Sequence, residues 1–234
     1  MRIVIDHVIT VDFAKLLPRA TLALRVTPED NHDQTVTGWR IGPDRDARLN
    51  TGRDGFGNVL TMLYAEGPLD RIEVHVSGEV FTGPSSGILS AAHPEPLPPG
   101  LFLRQSSGTP EAPDLAALAI EATEEAGGDI DRLHLLNVAL HHRADDADPA
   151  MLTAMFVAAA RRLNYPARCV SGYLAQGADA APHFWAEAYV ADVGWVGFDP
   201  AIGLSAGEDH ARVASALDLG GVATVTGGRI SSIG

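Results

Sequence analysis

Two residues in the C-terminal third have the types and spacing for acid–base chemistry. His183 opens the segment HFWAEAYV, and Asp199 closes GWVGFD sixteen residues further on. Successive residues of an extended segment point to opposite faces. His183, Trp185, Glu187 and Tyr189 therefore share one face, and Phe184, Ala186, Ala188 and Val190 the other. Whether the imidazole meets the carboxylate depends on the hairpin register, because a slip of one residue turns every side chain over. If Val190 pairs with Gly194 across the loop Ala191-Asp192-Val193, Trp185 faces Asp199 and His183 is its diagonal neighbour on the same face. A two-residue loop would separate them. An aspartate beside a histidine orients the ring and stabilises its cationic form, the role of the third group in a catalytic triad. The plainer alternative is a hairpin hydrogen bond worth roughly 1 kcal/mol.

A nucleophile and a metal must also be sought. Cys169 is the single cysteine, which excludes an internal disulfide. It lies on ARCVSGYL, on the same strand face as Ser171 and Tyr173. A strand cysteine has no helix terminus to favour its thiolate, and a buried free cysteine usually packs as a small hydrophobe. An active thiol hydrolase or acyltransferase using Cys169, His183 and Asp199 is the competing reading. His141, His142, Asp145, Asp146 and Asp148 are close in sequence, and with His183 they would form the site of a metal-dependent hydrolase. Their spacing matches no ligand motif, and a solvated acidic turn explains them. No metal or other cofactor is expected.

The elements that must position these groups fall into two parts. RIVIDHVITV, ATLALRVTP, QTVTGWRIGP, NVLTMLYAEG and RIEVHVSGEVFTG are β-rich runs broken by turn residues, as in a sandwich. In the last, Ile72, Val74 and Val76 alternate with Arg71, Glu73 and His75. His7, His32 and His75 are scattered over surface or edge positions. SAAHPEPLPPGLFLRQSSGTPEAPD reads as a linker. Three helices follow. DLAALAIEATEEAGG has Asp114 as N-cap and Gly127 near its end. DIDRLHLLNVALHHR has Leu133, Leu136, Val138 and Leu140 as its buried stripe, with His141 and His142 at the C-terminal end. The third starts at Asp148-Pro149, N-cap and first helical residue, and stops near Asn164 before Pro166. Its apolar run AMLTAMFVAAA predicts a buried central helix.

Composition narrows the function. Hydrophobic residues make up 46% and charged residues 20%, with a net charge of −13. No basic cluster stands out, so nucleic acid is not an expected partner. No apolar run is long enough to span a bilayer. The opening MRIVIDHVITVDF has charges within its apolar run, unlike a secretory signal. A cytoplasmic protein without membrane association is expected.

PARCVSGYL, HFWAEAYV and GWVGFDP together resemble the signature of bacterial transglutaminase-like proteins, whose core is similar to papain-like cysteine proteases. LALRVTPEDNHDQTVTGWRIGP and DGFGNVL resemble the β-rich N-terminal domain of such proteins, and GLFLRQSSGTPEAPDLAALA the connection between the two parts. The resemblance implies an α+β fold: an N-terminal β-sandwich-like domain over residues 1–88, a linker over 89–113 and a papain/transglutaminase-like core over 114–234. It places His183 at the catalytic histidine and Asp199 at the triad aspartate. Trp185, Glu187, Trp195 and Pro200 match structural positions around them, and Arg168, Ser171, Gly172 and Tyr173 match the strand after the central helix.

The resemblance fails at the nucleophile. Its cysteine aligns with Pro149, and the residues that follow, typically Gln, Asp and an aromatic, are Ala150, Met151 and Leu152. The turn glycine ahead of the cysteine is missing, and Ala201-Ile202 replaces the usual Thr-Asn after Asp-Pro. The implied molecule is a pseudoenzyme with a vestigial His183–Asp199 pair. Trp185, Tyr173 and Trp195 would be its binding residues. A peptide or protein would be its partner, by analogy an active paralogue or a peptide-ligating enzyme; self-association is compatible with the sequence.

Overall fold

Period-two apolar patterning makes the N-terminal half a set of long strands. The computed structural model describes residues 1–84, 87–89, 96–106, 108–110, 113–143, 148–177 and 179–229. Its first four strands are β1 (Arg2–Leu24), β2 (Gln34–Pro43), β3 (Ala47–Arg53) and β4 (Val59–Thr82). The β-rich runs expected as separate strands are joined pairwise in β1 and β4. Their ladder continues through register shifts at Asp12/Leu17 and Leu17/Arg19, where turns were expected. Such irregularities bend and twist a sheet. Ile9 and Ile72 from one half pack with Leu22 and Leu63 from the other in a single core, which gives the sandwich-like form. Ile72, Val74 and Val76 are fully buried while Arg71 and His75 are exposed.

The remaining elements are β5 (Ile88–Leu89), a 3-10 turn (Pro99–Leu103), α1 (Pro113–Ala122), α2 (Asp129–His142), α3 (Pro149–Arg162), β6 (Ala167–Gln176), β7 (Asp179–Val190), β8 (Gly194–Asp199), β9 (Leu204–Ser205), β10 (His210–Ala216), α4 (Leu219–Val222) and β11 (Val225–Arg229). The core sheet has the order β10-β6-β7-β8-β5, with β9 on β8. The whole is α+β, a β-rich N-terminal body followed by helices on an antiparallel sheet.

α3 follows its local signals closely. The Asp148 carboxylate accepts from Ala150 N at 3.1 Å, Pro149 is the first helical residue, and Asn164 has a positive φ of 67° past the helix end. Leu152–Ala154 and Phe156–Arg161 are buried. Phe156, Val157 and Ala160 pack with Cys169, Ala186 and Phe198 on one face of the core sheet. In α2, Leu133, Leu136 and Leu140 are buried as expected, but Val138 is 38% exposed. Asn137 occupies the stripe at the fourth residue after Leu133, and its amide donates to Leu204 O at 3.1 Å. In α1, Asp114 lies within the first turn and the helix stops at Ala122, short of Gly127.

Strand pairing crosses both expected boundaries. Ile88 and Leu89 pair with Val196 and Trp195 in the core sheet, and Phe102 of the expected linker is buried against Trp195 at 5.2 Å between ring centroids. At the other end, β11 leaves the core and pairs antiparallel with β1, covering an edge that would otherwise stay open. Residues 90–95 of the linker, and Asp145 and Asp146 of the acidic turn, lie outside the described residues. Among the described residues no helix is long and apolar enough to cross a membrane.

Candidate functional site

The β7–β8 hairpin decides the geometry. Val190 pairs with Gly194 across Ala191-Asp192-Val193, and the ladder runs on to Ala186 opposite Phe198. One further step puts Trp185 opposite Asp199, so His183 is diagonal on the same face. Asp192 takes the left-handed conformation, φ 63°, that such a loop requires. His183 Nε2 lies 2.6 Å from Asp199 Oδ2, and Asp199 Oδ1 accepts from Ala201 N at 3.0 Å. Because Nε2 is held by the carboxylate, Nδ1 is the ring nitrogen left for a reacting group.

A third group joins this pair. His210, at the start of β10, brings its Nε2 to 3.1 Å from the same Asp199 Oδ2. Its Nδ1 lies 2.6 Å from Asp209 Oδ1 and 3.1 Å from the Gly207 amide. The rings of His183 and His210 are both packed around Trp185, at 6.5 and 5.1 Å. The sequence reading missed His210. The signal was the alternation of His210 and Arg212 with Ala211 and Val213 in DHARVASA, a half-buried strand pattern directly behind an aspartate.

Next to these groups Glu187 is buried between two guanidiniums. Arg168 Nε is 2.6 Å from Oε2, and Arg212 Nε is 2.7 Å from Oε1. Burial pushes the Glu187 carboxyl up, but the two arginines override this and hold it down at about 2. Asp199 behaves alike: burial raises it, and the hydrogen bonds from His183 and His210 bring it down to about 2.

Cys169 is excluded from this arrangement by register. It pairs with Ala186, whereas His183 pairs with Gly172. The odd-numbered face of β6 that carries the thiol therefore points into the helix core, and the imidazole points to the other side of the sheet. The thiol is 1% exposed, and burial pushes its pKa up to about 12. Thr153, one turn into α3, is fully buried and donates back to Pro149 O at 2.8 Å. The expected binding aromatics are also packed away. Trp195 lies under Arg168 at 3.9 Å, and Tyr173 joins Ile3, Ile5 and Val80 of the N-terminal body. Trp185 is 2% exposed beside the two histidines, lining a cavity of about 60 Å³. Of the residues considered for a metal, His141 sits near Pro200 O at 3.2 Å, His142 is exposed and Asp148 caps α3. They do not gather round His183.

A family model of the bacterial transglutaminase-like N-terminal region matches residues 3–81, and one of the transglutaminase-like superfamily core matches residues 118–200. This chain is a bacterial transglutaminase-like protein. His183 and Asp199 fall within the matched core, while His210 and β11 lie beyond it. The crystal structure of a candidate cysteine protease from Cytophaga hutchinsonii superposes with a TM-score of 0.76 at 14% identity, covering 97% of this chain and 85% of that one. At that identity the likeness speaks for the fold alone. The periplasmic domain of TgpA from Pseudomonas aeruginosa, bound to ethylmercury, aligns at a TM-score of 0.35 with 14% identity over 87% of this chain and 91% of its own. No curated sequence matches the chain. The transglutaminase-like core here thus keeps a buried histidine–aspartate pair and has its single thiol on the other face of the sheet.

Proposed function

We propose that this transglutaminase-like protein does not carry out thiol chemistry and acts by binding a peptide or protein segment. The observation that carries this reading is Pro149. A half-buried pyrrolidine ring occupies the first position of α3, where the resemblance places the nucleophile. Loss of a triad nucleophile lowers turnover by a factor on the order of 10⁶, and Cys169 is too deeply buried to substitute. The segment would enter the cleft of about 300 Å³ between the N-terminal body and the core, where Glu29, Asp30, Arg53 and Arg212 supply charge and Phe56 and Pro96 apolar surface. An active paralogue or a peptide-ligating enzyme would present that segment.

The test uses the full chain with glutamine-containing peptides. Fluorescence anisotropy should register binding, while amide hydrolysis and amine incorporation stay at background. Turnover above background that disappears in Cys169→Ser would overturn the reading. A Pro149→Cys variant serves as the positive control for access: its thiol, half-exposed at a helix start, should react readily with iodoacetamide.

A further inference from the structure

We propose that His183, His210 and Asp199 form a binding site for one zinc-class divalent ion. The three residues are buried, and one ligand atom from each lies within 4.8 Å of the other two. Two imidazoles and a carboxylate are the ligand types that zinc and its neighbours favour, and three protein ligands leave a fourth tetrahedral position open. With bonds of about 2.1 Å, tetrahedral ligand atoms stand roughly 3.4 Å apart. The present separations from Asp199 Oδ2 are 2.6 Å for His183 Nε2 and 3.1 Å for His210 Nε2. Between Asp199 and each histidine, admitting the ion needs the ligands to part by less than about 1 Å, within the reach of small side-chain rotations.

The surroundings of His210 hold its ring in place. Asp209 Oδ1 lies 2.6 Å from Nδ1, and the Gly207 amide donates to the same nitrogen at 3.1 Å, so Nε2 is the nitrogen turned to Asp199 Oδ2. An aspartate holding the outer nitrogen of a metal-bound histidine is the usual arrangement for fixing its tautomer. Asp199 is oriented as well, by the Ala201 amide on Oδ1. His210 also lines the cavity of about 60 Å³ next to Trp185. This inference goes beyond the binding role proposed above and does not depend on it.

The experiment is a titration of chelator-treated full-length protein with Co²⁺ and Zn²⁺. One equivalent should bind, and the cobalt form should show the intense visible bands of a four-coordinate site without thiolate charge transfer. His183→Gln and His210→Gln should each abolish uptake while circular dichroism shows a folded chain. Asp209→Asn should weaken affinity by about 10–100-fold and shift the cobalt bands, and Cys169→Ser should change nothing. X-ray absorption on the loaded wild-type protein reads the ligand set without any substitution, with two imidazoles and oxygen expected. Failure to take up one equivalent, an oxygen-only or sulfur-containing shell, or uptake that survives both glutamine variants would overturn the site.

Discussion

At Asp199 and Glu187 burial and charge pull in opposite directions, and charge wins. Burial raises both carboxyls, yet histidine hydrogen bonds in one case and two arginines in the other hold each at about 2 in the folded protein, below the ordinary 3.8 and 4.5. A carboxyl depressed on folding stabilises the protein above its unfolded pKa, and that stability is lost as pH falls through the folded value. Each group therefore contributes on the order of 2–3 kcal/mol at neutral pH. Urea unfolding should show stability draining away between pH of about 5 and about 2. Asp199→Asn should be less stable at neutral pH and should flatten that acid limb; an unchanged limb would contradict the assignment. Cys169 calls for a different measurement. With the thiol pushed up to about 12 in the helix core, Ellman's reagent at neutral pH should react only as fast as the chain unfolds. The His183–Asp199 pair was legible in the sequence, because alternation fixed their face and only the loop length remained open. Asn137 in the α2 stripe and His210 beside Asp199 were not, because each polar side chain is buried by partners more than sixty and more than ten residues away in the chain.

The elements read most easily from sequence are those whose ends are set locally. α3 has its aspartate cap, its proline start and its proline beyond the end, and all three stand where the sequence put them. Asp148→Ala should cost about 1 kcal/mol in chemical denaturation. The strands were harder to read. β1 and β4 keep their ladder through bulges that look like turns in sequence, and β10 and β11 are short segments whose pairing is decided elsewhere. Gly172 marks how tightly β6, β10 and Trp185 meet. A methyl group there would stand 2.1 Å from Ala211 O and 2.7 Å from the Trp185 ring. Neither neighbour is a flexible side-chain end, so Gly172→Ala should destabilise by about 1–3 kcal/mol or more. The same strain would displace Trp185 and with it the packing of His183 and His210. Thermal unfolding and the histidine ring signals in NMR should therefore shift together.

Across the whole molecule, the two bodies are joined more closely than a chain read as domain, linker and domain implies. The chain returns through β11 to close the sheet in which it began, and this crossing has no local sequence signal because it depends on a contact between the two ends. A second junction lies along β10. One edge of that strand pairs with β6, and its other edge is met by side-chain amides of the N-terminal body. Gln34 donates to Arg212 O at 3.0 Å and accepts from Arg212 N at 2.7 Å. Asn58 donates to Ser215 O at 2.9 Å and accepts from Ser215 N at 2.8 Å. Each amide thus acts as a one-residue strand, satisfying a backbone donor and acceptor that would otherwise be buried without partners. Gln34→Ala or Asn58→Ala leaves both groups unpaired and should destabilise by about 2–3 kcal/mol. In wild type the bodies should unfold in a single transition. In the double variant calorimetry should resolve two, and hydrogen exchange at Arg212 and Ser215 should accelerate ahead of the β6–β7 amides. A single, unshifted transition in the double variant would mean that β11, with the cluster of Tyr173, Ile3, Ile5 and Val80, holds the bodies together. Ending the chain after Thr224 would then produce the split that the amide substitutions did not.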